Sequence, residues 1–303
     1  MIRILMFIII AIIFFVLFYA LIGPDSEESE IEGIRIVTTI YPYEILIREL
    51  IAERGTVTSL IPPNASPHIY APNPGDMKLL ESADLIVSNG LGLEVFLTDF
   101  LDTIIDRHIS AAGFLPELKE NEEEQHHTHS HGLNPHIWLD PVFLSSIVEG
   151  ISLKLQKIDP EYREYYQERN LILQRDLNEL NEKIMEQRRA QGRISLINFH
   201  DAFYYFNQRY DINSAATVVH SPGKEPTPRE LTELGKIIEE NDVRIILIEP
   251  QLNPKAAELI AREHKIEPVI VDPLGSYWQI ETIVDLIYQY WETIRWFSNA
   301  SGS

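Results

Sequence analysis

"PEYREYYQERNLILQRDLNELNEKIMEQRRAQ", residues 160–191, decides the fold. Pro160 follows Asp159 and suits a first helical position, and neither Gly nor Pro recurs before Gly192. Tyr162, Tyr166, Leu173, Leu177, Leu180 and Ile184 recur at three-, four- and seven-residue spacing. That period predicts one buried stripe on a helix whose other faces are charged. About 30 residues at 1.5 Å each make a rod of roughly 45 Å, the width of a small protein.

On either side of this rod the texture is an alternation of short apolar runs and helical stretches. Upstream come "IRIVTTI", a helix over "YEILIRELIAERG", "TVTSLI", a helix near "PGDMKLLESA", and "DLIVSN". Downstream come "RISLINF", a helix near "DAFYYFNQRY", "NSAATVV", a helix over "PRELTELGKIIEEN", "VRIILIE", a helix over "PKAAELIAREHK", and "PVIVD". Such alternation predicts α/β architecture with mainly parallel sheets. The expected organisation is an N-terminal lobe over 34–158, a linking helix over 159–191 and a C-terminal lobe over 192–303.

The chain has 303 residues, 45% of them hydrophobic, enough for two ordinary cores. It carries 25 basic against 46 acidic residues, a formal net charge of −21. That balance repels phosphates, so nucleic acid is excluded as a partner and cations are the natural clients. There is no cysteine, which removes disulfides, thiolate metal sites and thiol nucleophiles. Any metal must be held by nitrogen and oxygen.

Residues 4–22 are apolar without interruption, close to the roughly 20 residues that cross a bilayer. Arg3 precedes them, while Asp25, Glu27, Glu28 and Glu30 follow, so the remainder of the chain is expected outside the cytoplasm. Phe18 and Tyr19 before Ala20 do not make a small-x-small cleavage site. Residues 1–23 therefore read as an uncleaved transmembrane anchor, and 24–33 as a short acidic tether.

In open α/β sheets ligands bind beyond the carboxyl ends of the strands, and two lobes place the cleft between them. The residues at such ends are His68 in "SPHIYAP", His136 in "NPHIWLDP", His200 in "NFHDAFYYF" and Asp272 in "VIVDPLG". Three imidazoles and a carboxylate form a nitrogen and oxygen set suited to tetrahedral zinc. Each also has an ordinary reading: a histidine as a structural hydrogen-bonding residue, an Asp before Pro as a turn former. Spacing alone does not show that they converge. A second cluster, His126, His127, His129 and His131, sits in the loop 121–131 behind "ENEEE" and is expected to give auxiliary weak metal contacts.

These segments resemble a known family, the zinc- and manganese-binding receptors that deliver metal to ABC importers. The resemblance covers residues 34–297 and rests on "VTTIYPYE", "PHIYAPNPGDMKLLESADLIVSNGLGLE", "NPHIWLDP", "FHDAFYYF", "EPTPRELTEL", "IEPQLNPK" and "VDPLG", in the family's order. It implies two α/β lobes joined by one long helix, and metal ligands at His68, His136, His200 and Asp272. A His-rich acidic loop before the second ligand points to the zinc branch. Two departures stand out. The usual Asp-Pro-His and Tyr-Glu-Pro are Ser66-Pro67-His68 and Tyr70-Ala71-Pro72 here, and the lipid-attachment cysteine is missing.

The function expected is a monomeric, membrane-tethered receptor that captures Zn2+, with Mn2+ as the alternative, and passes it to an ABC permease. No catalytic residue is expected. The competing readings are a zinc hydrolase, with Asp201 or Glu249 as its acid or base, and a surface adhesin on the same fold. The ordinary roles of those two acids are helix capping for Asp201 and solvation or a surface ion pair for Glu249. His108 and His264 read as surface residues in helical surroundings; His220 follows a strand end near the cleft, where an auxiliary contact is the lesser reading. Trp138, Tyr204 and Tyr205 read as packing residues.

Overall fold

The computed structural model describes residues 33–116, 118, 133–219 and 226–300. The expected anchor, all but the last residue of the tether, the His-rich loop 121–131 and His220 lie outside the described residues. Among the described residues no helix is long and apolar enough to cross a membrane.

The first half of the chain alternates β1 (Ile34–Thr38), α1 (Tyr41–Ile51), β2 (Gly55–Ser59), α2 (Pro74–Ser82), β3 (Leu85–Ser88), α3 (Thr98–Asp102) and β4 (His108–Ser110). Two long helices follow, α4 (Pro141–Ile158) and α5 (Arg163–Arg189). The second half runs β5 (Ser195–His200), α6 (Tyr204–Arg209), β6 (Asn213–Val219), α7 (Pro228–Glu240), β7 (Ile245–Ile248), α8 (Lys255–His264), β8 (Glu267–Ile270) and α9 (Ile283–Ala300). Local signals set several starts. Asn73 and Thr227 cap α2 and α7 through reciprocal capping boxes, each with Pro in the first turn.

Two four-stranded parallel sheets result, ordered β2-β1-β3-β4 and β6-β5-β7-β8. Each reverses its winding between two adjacent central strands, β1 and β3 in one, β5 and β7 in the other, which opens a crevice at their carboxyl ends. The central strands β3, β5 and β7, and most of β1, are buried on both faces, as parallel strands under helices must be, while the edge strands are partly exposed. In β5, Leu196 faces one apolar cluster while Ile197 and Phe199 face another, and Ile246 and Ile248 of β7 repeat the alternation.

The predicted rod is α5, a single helix of 27 residues. Tyr166, Leu173, Leu177, Leu180 and Ile184 form its buried stripe as the period requires. Tyr162 does not belong to it. Residues Pro160–Tyr162 form a separate 3-10 turn, and the Tyr162 ring lies under the Arg54 guanidinium at 3.1 Å. One continuous apolar cluster runs from Ile36 and Leu85 through α4 and α5 to Leu196, Phe203 and Trp291. Helix α9 returns from the end of the chain to pack on α5 and α1, where Ile283 N donates to Glu49 Oε1 at 3.0 Å.

Candidate metal centre

The three histidines are delivered by three differently built segments, one strand end and two turns. His200 is the last residue of β5, a central strand beside the crevice. His68 lies in the 3-10 turn Pro67–Ile69 that follows β2, where the extended backbone of Ser66 turns through Pro67. His136 precedes the turn Ile137–Leu139, and the "NPHIWLDP" segment around it is pinned at several points. Asp140 Oδ1 caps α4 by accepting from Val142 N and Phe143 N, and its Oδ2 accepts from Arg209 Nε at 2.6 Å. The Trp138 indole donates to Pro273 O at 2.8 Å, and Asn134 Nδ2 donates to Asp201 O at 2.8 Å. A loop tied to both halves of the chain leaves the His136 imidazole little freedom.

The rings converge. Centroid separations are 5.1 Å for His68–His136, 4.9 Å for His68–His200 and 4.8 Å for His136–His200. One ring nitrogen from each lies within 4.8 Å of the others, and His68 Nε2 is 3.0 Å from His136 Nε2. A tetrahedral ion with Zn–N bonds of about 2.0–2.1 Å holds its nitrogens about 3.3 Å apart, so this trio needs only small adjustment to take one ion. The cavity they line has a volume of about 10 Å³, the room of a single water.

Hydrogen bonds behind two of the rings fix which nitrogen faces the cavity. Asn134 Oδ1 is 2.8 Å from His136 Nδ1, and Glu249 Oε1 is 3.0 Å from His200 Nδ1. Both partners are acceptors, so each Nδ1 carries the proton and each Nε2 keeps its lone pair for the cavity. Burial, then the neighbouring His200 and His68, hold His136 well below the ordinary imidazole range. Burial and His200 push His68 down to about 4. Burial also lowers His200, but the Glu249 carboxylate outweighs it and the net shift is upward. Two of the three imidazoles are thus neutral without any ion, as metal ligation requires.

With this geometry in place, the relatives can be given. Residues 36–295 match the family described as zinc-uptake complex component A, periplasmic (ZnuA). The chain belongs to this family. It is 29% identical over 248 residues to the high-affinity zinc uptake system protein ZnuA of Bacillus subtilis, covering 78% of this chain and 77% of that one. It is 26% identical over 268 residues to the manganese-binding lipoprotein MntA of Halalkalibacterium halodurans, covering 86% and 87%. The fold matches that of the periplasmic zinc binding protein TroA from Treponema pallidum with a TM-score of 0.76, at 24% identity and with 88% and 99% coverage.

Within this family fold, Asp272 stands outside the converging group. It is buried, 1% exposed, and both carboxylate oxygens are engaged. Oδ1 accepts from Gln251 Nε2 at 2.7 Å and Leu274 N at 2.9 Å, while Oδ2 accepts from Tyr277 N at 2.6 Å and Ser276 Oγ at 3.4 Å.

Three expectations about neighbouring residues are corrected. Glu249 is not a solvated surface acid. It is buried, and its place follows from strand register, because Asn198 pairs with Leu247 and two residues further on His200 meets Glu249. Asp201 does not cap α6, whose capping position is Phe203; Asp201 Oδ1 instead accepts from Asn198 Nδ2 at 3.3 Å. His108 is not in helical surroundings. It opens β4, half-buried, with Nε2 2.8 Å from Ser88 Oγ. His264 closes α8 and is half-buried. Trp138 is buried packing that also lines the cavity, and the Tyr205 hydroxyl donates to Asn134 O at 2.9 Å.

Proposed function

We propose that this ZnuA-family protein is an extracytoplasmic receptor that captures Zn2+ between its two lobes and delivers it to an ABC permease. His68, His136 and His200 are the nitrogen ligands, with Asp272 as the carboxylate partner of the site. The observation that carries this reading is the convergence of three imidazoles, His136 and His200 buried with Nδ1 already bonded to acceptors and His68 half-buried, on a cavity the size of one ion. Three nitrogens favour a borderline ion, and zinc stands above manganese in the usual order of affinities, so Zn2+ is the cargo and Mn2+ the weaker competitor.

A hydrolase has less support. A catalytic zinc needs a position for water and an acid or base placed to act on it. The nearest acid, Glu249, is committed to His200 Nδ1. In this reading the protein is a monomer and not an enzyme. His126, His127, His129 and His131 bind further metal weakly, and residues 1–23 hold the protein at the membrane. The mass of the natively expressed chain checks that anchor: a mature start near residue 21–25 would reject it.

A zinc titration of the full chain, following thermal unfolding, tests the receptor reading. A ligand that binds only the folded state raises the melting temperature with its concentration over Kd. The expected result is a large zinc-dependent rise and a smaller one with manganese. No rise with either ion would reject it.

A further inference from the structure

We infer that Gln251 is a direct metal-contacting residue: its side-chain carbonyl oxygen completes the three-histidine set, and Asp272 orients it from behind. This rests on the receptor reading above and specifies the fourth position of its site.

The argument starts from the amide. Gln251 lines the same cavity as His68, His136 and His200. Its Nε2 donates to Asp272 Oδ1 at 2.7 Å and to Pro63 O at 3.1 Å. Both partners are acceptors only, so the amide cannot be turned over without setting its oxygen against two other oxygens. Its orientation is therefore fixed by its surroundings. Oε1 is left buried with no hydrogen-bond donor. A buried acceptor without a donor is unusual, and it calls for a partner that arrives later.

A divalent cation is such a partner. The three imidazoles supply nitrogen, and a tetrahedral zinc takes oxygen readily as its fourth ligand. Asp272 could reach the ion itself only by giving up hydrogen bonds to Leu274 N, Tyr277 N, Ser276 Oγ or Gln251, whereas Gln251 Oε1 has none to lose. Held as it is, the carboxylate acts through the amide. An anion accepting from the N–H side draws electron density onto the carbonyl oxygen and makes it a better donor. Glu249 does the same for the imidazole of His200. The ion would then meet four neutral ligand atoms, with two carboxylates placed one residue behind them.

The same amide joins the halves of the molecule. Pro63 follows β2 in the first half, Gln251 follows β7 in the second, and Ser276 Oγ also donates to Pro63 O at 3.0 Å. Contact between Gln251 and the ion would couple metal binding to this join.

The test compares the full chain with Gln251→Leu, Asp272→Asn and His200→Ala, using zinc for affinity and Co2+ for its visible ligand-field spectrum. Gln251→Leu is expected to weaken zinc by about tenfold or more and to change the Co2+ spectrum. Asp272→Asn is expected to weaken zinc while leaving the spectrum close to that of wild type, since it removes charge and no ligand. An affinity loss alone would also follow from a supporting role, so the spectrum decides. A Gln251→Leu protein with the wild-type spectrum, alongside an altered one for Asp272→Asn, would overturn the inference. A crystal structure of the zinc-loaded wild type is independent of how any variant folds. Gln251 Oε1 at about 2.0–2.2 Å from the ion supports the inference, and an Asp272 oxygen there with Gln251 turned away overturns it. His200→Ala separates the two levels: if it binds zinc as tightly as wild type, the histidine site itself is wrong, and Gln251 falls with it.

Discussion

His200 Nδ1 lies 3.0 Å from Glu249 Oε1, on two adjacent strand ends and with both side chains buried. The strand register makes the pair, and the pair orients the ring as the proposed site needs: the carboxylate accepts from Nδ1, which leaves Nε2 toward the other two imidazoles.

Removing that charge has a defined consequence. Glu249→Gln keeps an acceptor for Nδ1 but loses the anion, so the His200 pKa falls and zinc binding weakens by about 10–100-fold, the usual effect of losing a carboxylate behind a metal-bound histidine. Calorimetry in buffers of different ionisation heat reads both changes. Because the carboxylate raises His200, wild type should release more protons on binding zinc than Glu249→Gln does at the same pH. Equal proton release and equal affinity in the two proteins would remove Glu249 from the site.

The metal-free protein should lose stability as pH falls from about 6.5 to about 4. His68 titrates near 4 when folded and near its ordinary 6.5 when unfolded, so between those values the unfolded chain binds the extra proton. Stability therefore rises with pH across that window. The lowering of His68, from burial first and then from His200, corresponds to roughly 3 kcal/mol across that window, and the lowered His136 adds in the same direction. His200 acts oppositely: raised when folded, it contributes stability below its unfolded value that is lost as pH climbs through its folded one. Denaturant unfolding with a chelator present, repeated for His68→Asn, checks the sign. A slope that does not flatten in the variant would contradict the assignment.

Deleting residues 121–131 should leave one tight zinc per chain and abolish only weaker equivalents. The segment is acidic and rich in histidine, a composition that favours loose, variable coordination. Loss of the tight equivalent on deletion would place that segment in the main site.

Much of this architecture was legible because it is written in local periods. The stripe Tyr166, Leu173, Leu177, Leu180 and Ile184 follows helical spacing, and the strands are apolar runs between turn formers. The positions of the three histidines were legible because His200 ends such a run and His68 and His136 each directly follow a proline at a turn. Other parts were not. Strand β4 has three residues, too few to show a period, and α4 and α9 are apolar enough on several faces to blur theirs. The Glu249 partnership depends on how β5 registers against β7, which no local pattern contains. Asp272 shows the limit most clearly. Its strand-end position suggests a ligand, but the hydrogen bonds it accepts from Leu274 N and Tyr277 N, of the kind a short acidic side chain makes to its own following backbone, had no signal in the sequence. The buried Oε1 of Gln251 became visible only once both partners of its Nε2 were in view.

Calorimetric titration of the full chain with zinc and manganese, in wild type, His200→Ala and His200→Glu, tests the central claim most directly. The wild type should bind one zinc tightly and prefer it to manganese, as a nitrogen-rich site does. His200→Ala should weaken zinc by about a hundredfold or more, because a ligand is lost outright. His200→Glu should weaken zinc less and narrow the gap to manganese, because a carboxylate hardens the site and permits a higher coordination number. Zinc affinity unchanged in both variants would mean that His200 is not a ligand, and that the three-histidine site does not hold the ion.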